Sequence, residues 1–134
     1  VTLKYTDVDQ VMWPVHCVQG TEGAEYHKDL IIKDTDIEIL KGIKPNHDAF
    51  SAFGSDSEDT MLYKFLNELG IKRVYVVGLA YDFCVGYTAE DSAEEGFETL
   101  VIKDATRSVD AEDESFMNER LEDAGVKIVT IKDL

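Results

Sequence analysis

The chain has 134 residues, enough for one domain with a real core and too few for two of ordinary size. Hydrophobic residues make up 44% of it, which excludes disorder by composition, and no apolar run approaches the roughly 18 residues of a membrane-spanning helix. With 13 basic against 28 acidic residues the formal net charge is -15, a surface that repels phosphate backbones and anionic lipid, so neither nucleic acid nor membrane is an expected partner.

The acidic residues fall in stretches such as Ser55–Asp59 and Asp110–Glu114, where they suit solubility and helix capping. No charged-then-apolar signal segment opens the chain, so a cytoplasmic location is expected. Cys17 and Cys84 lie far apart without CxxC spacing, which argues against a disulfide framework or a structural zinc site. There are no internal repeats and no low-complexity linker, and one domain over residues 1–134 is expected. Val1 opens the chain without a recognisable element start, as if within a domain.

In chain order, Ile37–Leu40 is the first predicted strand, rich in β-branched residues. Ser55–Glu58 has capping-box spacing, and Met61, Leu62, Phe65, Leu66 and Leu69 then share one helical face, with Gly70 placed to end the helix. Val74–Val77 reads as a strand and is followed by a helix from about Cys84 to Glu95 that stops at Gly96. Thr99–Ile102 is a third strand. A third helix carries Phe116, Met117 and Leu121 and stops at Gly125, and Lys127–Ile131 is a fourth strand. The strands are mostly apolar, which suits cover on both faces, and the alternation with helices predicts right-handed crossovers in an open α/β sheet. In such sheets chemistry gathers beyond the carboxyl ends of the strands.

That rule points first to Cys84, which follows the Val74–Val77 strand after a short turn. A thiol at a helix N-terminus meets the positive end of the backbone dipole, which favours the nucleophilic thiolate, and nearby amides can hold the oxygen of a tetrahedral intermediate. A buried structural cysteine is the competing reading. Lys41, directly after Ile37–Leu40, could reach into a cleft and stabilise an anion or a thiolate; a solvated strand end is the alternative. His16 is a possible metal ligand, yet no HxH, HxxxH or DxH spacing surrounds it. Trp13 beside Pro14 could stack on a flat aromatic ligand or fill the core. Cys17, in a largely apolar run, reads as core, and His27 and His47 as surface residues.

Taken together, several segments resemble the nicotinamidase branch of the isochorismatase-like hydrolases. They are residues 12–25 with Trp13, Pro14 and His16, Lys41–Gly42, Phe50–Phe53, residues 77–85 ending in Cys84–Val85, Thr88–Ala89, and Lys103–Val109. The resemblance implies a three-layer αβα, Rossmann-like fold with an open, mainly parallel sheet. It also implies hydrolysis of nicotinamide to nicotinate and ammonia through a cysteine thioester, a step of pyridine nucleotide salvage. Cys84 would be the nucleophile and Lys41 the lysine of an Asp-Lys-Cys triad. The amides of Ala80 and Cys84 would form the oxyanion hole, with a cis peptide between Leu79 and Ala80. His16 would be one ligand of a divalent metal, often zinc, and Trp13 part of the wall against the substrate ring. The family often forms oligomers. Its triad aspartate and Asp-x-His metal pair lie on and after a first strand that this chain begins too late to contain, and Asp7 and Asp9 fit neither role. An N-terminally incomplete domain, inactive by itself, is therefore expected. A ureido or carbamoyl amidase and a catalytically inactive binding module are the rival readings.

Overall fold

A computed structural model of the protein describes residues 13–44, 47–56, 58–112 and 114–134; Asp7 and Asp9 lie outside them. The chain divides into two units, residues 1–38 and 39–134. In the first, every described residue is exposed, and Glu22–Ala24 forms a 3-10 turn. The Tyr26 hydroxyl donates to Glu38 Oε1 at 2.9 Å, and this bond holds the phenol above its ordinary value. Cys17 is exposed with φ 46°, which corrects its reading as a core residue. It lies in the loop that leads to the Thr21 turn, so its apolar neighbours in sequence did not bury it.

The second unit carries the sheet. Strand β3 (Arg73–Leu79) pairs in parallel with β4 (Glu98–Arg107), and β4 with β5 (Lys127–Val129), in the order β3-β4-β5. Val76, Val101 and Ile128 stand level across the three strands. Helix α2 (Gly86–Glu94) and helix α3 (Glu114–Asp123) bury Val76, Tyr81, Val85, Ala89, Val101, Met117, Leu121 and Val126 in one core. This is the predicted open parallel α/β architecture. The buried hydroxyls of Ser92 on α2 and Thr99 on β4 satisfy each other at 2.8 Å. On β3 Val76 is buried while Tyr75, Val77 and Leu79 are exposed. No described helix is long and apolar enough to cross a membrane.

The helix stops fall where expected. Gly70, Gly96 and Gly125 take φ of 68°, 89° and 77°, and the following residue in each case donates back to the helix, as Val126 does to Leu121 at 2.8 Å. Three boundaries differ. Ile37–Leu40 forms no strand among the described residues, because β-branched composition supplies propensity but not the neighbour a ladder needs. Ser55 and Glu58 form no capping box. They sit in a two-residue hairpin, β1 (Gly54–Ser55) against β2 (Glu58–Asp59), and helix α1 (Leu62–Glu68) starts later, with Asp59 Oδ1 accepting the Met61 amide at 2.8 Å. Its apolar face stays partly exposed, with Phe65 at 40% and Leu69 at 62%. Strand β5 ends at Val129 because the Asp104 carboxylate captures the Ile131 amide at 3.0 Å and Thr130 caps a terminal 3-10 turn with Asp133.

Glu98 ties the start of the sheet together, accepting from Arg73 at 2.8 Å and Lys127 at 3.0 Å. These bonds hold its carboxyl below the ordinary 4.5, with the Arg73 bond the largest cause. Glu114 is lowered by its contacts with Lys103 and Ser108. A group depressed in the folded state binds more protons when unfolded, so its stabilisation is complete above 4.5 and lost as pH falls through the folded value. The thermal midpoint is therefore expected to hold near neutrality and to fall steadily below about pH 4.5, as followed by circular dichroism. A midpoint unchanged down to about pH 3 would contradict these assignments.

Candidate active site

The site is built where β3 hands over to α2. The strand ends at Leu79, the Leu79–Ala80 peptide is cis, and a π-helical turn, Tyr81–Val85, leads into α2 at Gly86. Cys84 thus lies in the turn before the α-helix, which begins at Gly86, two residues after the predicted start. Its side chain is half-buried. The amides on either side of it, from Phe83 and Val85, both donate to the Ala80 carbonyl, at 3.1 and 2.9 Å. This fixes the path of the turn around the sulfur.

Two residues anchor the turn. Tyr81 is wholly buried, donates to the Asn118 side chain on α3, and has the Lys103 ammonium 3.2 Å from its ring centre. Burial pushes its phenol up to about 12, with Glu114 adding to the rise, so it remains a neutral donor at any ordinary pH. The Asp82 carboxylate accepts the amides of Val109 and Asp110 at 2.9 and 3.0 Å, which ties the turn to the loop after β4.

Lys41 reaches this turn from the chain segment before the hairpin. Its ammonium lies 3.4 Å from Cys84 Sγ and donates to the Ala49 carbonyl at 2.8 Å. Although Lys41 follows no strand, it and Cys84 are brought together. The intervening segment docks on α2: Thr88 Oγ1 accepts the Ala52 amide at 2.8 Å, Thr60 donates to the Ala52 carbonyl at 2.6 Å, and Phe50 stacks against Tyr87 with ring centres 5.6 Å apart. Glu58 is buried on this segment and accepts the amides of Gly42 and Ile43 at 2.7 and 3.0 Å. These bonds, the Gly42 one first, hold its carboxyl below the usual range. Chemically, an ammonium in contact with a sulfur favours its thiolate, the form that attacks carbonyl carbon.

Of the other predicted residues, Trp13 and His16 belong to the first unit and both are exposed. His16 Nδ1 lies 2.7 Å from the Pro14 carbonyl, an acceptor, which makes Nδ1 the donor of that bond. Nε2 is the nitrogen left to face a metal. His27 and His47 are exposed, as expected. Among the described residues no group of three or more His, Cys, Asp or Glu side chains could hold a metal ion. Glu58, Asp82 and Tyr81 were not singled out from the sequence. Their partners lie 15 to 37 residues away, and no local pattern announces them.

The isochorismatase domain family matches residues 2–133. The chain belongs to the isochorismatase family. A nicotinamidase of Acinetobacter baylyi is 45% identical over 103 residues, which cover 75% of this chain and 48% of that protein. Among solved structures, a nicotinamidase pyrazinamidase of Acinetobacter baumanii superposes with a TM-score of 0.88 at 41% identity, covering 99% of this chain and 65% of that one. A pyrazinamidase of Pyrococcus horikoshii in complex with zinc gives 0.80 at 38% identity, covering 90% and 64%. The chain thus spans about half the length of that curated isochorismatase-family relative and under two thirds of these structures.

Proposed function

We propose that this sequence, taken as one hydrolase domain over residues 1–134, serves an amidohydrolase that converts nicotinamide to nicotinate and ammonia, within pyridine nucleotide salvage. The observation that carries the reading is the Lys41 ammonium 3.4 Å from Cys84 Sγ. The similarity to nicotinamidases supports the choice of substrate. Cys84 sulfur attacks the carboxamide carbon, and the amides of Ala80 and Cys84 hold the resulting oxyanion. The C–N bond breaks, the thiol proton leaves with ammonia, and water hydrolyses the thioester to nicotinate and free thiol. Splitting amide hydrolysis into two such steps lowers each barrier. Trp13 is assigned to the wall against the ring.

His16 fits as a single ligand of a divalent metal, and a pyrazinamidase relative holds zinc. Among the described residues no group of three or more His, Cys, Asp or Glu completes a ligand set around it. Comparing ammonia release from nicotinamide, pyrazinamide and carbamoyl compounds tests the substrate: the pyridine and pyrazine carboxamides are expected to lead, and a preference for carbamoyl compounds would overturn the choice.

One observation favours a second reading, a binding module without turnover. Lys41 Nζ bonds to the Ala49 carbonyl and to Cys84 Sγ, and the Ala49 carbonyl is no base for the thiol proton. Loss of a general base commonly costs roughly 10²–10⁴-fold. Nicotinate that raises the thermal midpoint of a protein releasing no ammonia would support it.

A further inference from the structure

A carboxylate outside the proposed Lys41–Cys84 pair is buried in a position that governs where Lys41 can go. Glu58 is 5% exposed and lies on β2. Its two oxygens accept two successive amides, Gly42 with Oε2 at 2.7 Å and Ile43 with Oε1 at 3.0 Å. Gly42 has φ 67°, and a left-handed residue turns consecutive amides toward one point, a cradle for an anion. The amides so gripped directly follow Lys41. The lysine side chain is also held at its far end by the Ala49 carbonyl. Lys41 is thus held at both ends, by Glu58 through the two amides that follow it and by Ala49 at its ammonium, which also lies 3.4 Å from Cys84 Sγ.

An ionised carboxylate is acceptor-only and matches two N–H donors. A glutamine would turn an NH2 group against one of them, leaving a buried donor facing a donor. A carboxylate is also costly to bury unless its bonds are good, and here both are short. The Lys41 and Lys44 cations further favour its charge. Nothing in this arrangement brings Glu58 to the sulfur itself.

We propose that Glu58 is a positioning residue that sets the Lys41 ammonium against Cys84 by clamping the Gly42–Ile43 backbone. The inference rests on the reading of Lys41 and Cys84 as a working pair.

The test is the pH profile of iodoacetamide alkylation of Cys84 in the 134-residue chain, read by peptide mass spectrometry with exposed Cys17 as the internal reference. Lys41→Met removes the cation directly and is expected to slow Cys84 at neutral pH by roughly tenfold and to carry its profile to higher pH. Glu58→Gln is expected to act in the same direction by roughly threefold to tenfold, without moving Cys17, and the double variant to go no further than Lys41→Met alone. A purely structural glutamate would lower the thermal midpoint while leaving the Cys84 profile in place, or would add its effect to that of Lys41→Met; either result overturns the inference and leaves the pair standing. A Lys41→Met protein with a wild-type Cys84 profile overturns the pair and the inference together. Should Glu58→Gln fail to fold, Glu58→Asp, which keeps the charge but draws it back by one methylene, is read against the same outcomes.

Discussion

Replacing Cys84 by alanine is expected to lower ammonia release from nicotinamide by at least about 10⁴-fold in the protein that carries this sequence. In the proposed route no other group can stand in for the sulfur, because the thioester is the intermediate itself. Cys84 is half-buried and takes no part in the core cluster, so the thermal midpoint should stay within about a degree or two of the parent, a surface-like change. Lys41→Met should fall between the two, losing rate while keeping the covalent route. The measurement is kcat by coupled ammonia detection, with KM followed in parallel. Alanine at 84 that retained a tenth of the parent rate would remove the cysteine mechanism, whatever the sulfur's geometry.

What made Cys84 legible was its place between a strand and a helix, a signal written in adjacent residues. Local signals also gave the other elements: apolar, β-branched runs for β3 and β4, and a glycine stop after the helical pattern for α2 and α3. Lys41 was legible for a different reason. Its expected strand, Ile37–Leu40, did not form among the described residues, yet the lysine still meets the sulfur. Its position comes from Ala49, Gly42 and the buried Glu58, contacts between residues that share no sequence pattern. Ser55 and Glu58 show the limit clearly. Their spacing matched a capping box, but two amides at 42 and 43 competed for the glutamate and won, and the helix began without it. A motif counts donors and acceptors nearby in the chain; the fold offers them from anywhere. Cys17 erred the same way, since an apolar run is buried only if something packs on it.

The packing of α2 against α3 leads to the other large effect. Gly86, buried at the start of α2, faces Met117, which is 1% exposed on α3. A methyl group on Gly86 would lie 2.6 Å from Met117 Cε and 2.7 Å from Cγ, and would press on Sδ as well. Only the end of that side chain is free to bend away; Cγ is tied to the helix backbone. Gly86→Ala is therefore expected to destabilise by about 1–3 kcal/mol through overpacking, little offset by the gain in helix propensity at a first-turn position. Met117→Ala leaves a cavity against Tyr81, Val85 and Leu121 and should cost about 2–5 kcal/mol. The two changes share one space. In the double variant the new methyl enters the room that Met117 vacates, so its cost should be less than the sum by about 1–2 kcal/mol. Urea unfolding of the four proteins measures this directly. Strict additivity would mean that α2 yields at Gly86 without touching Met117. In that case the turn bearing Cys84, which ends one residue earlier at Val85, would be far less firmly seated than its contacts imply.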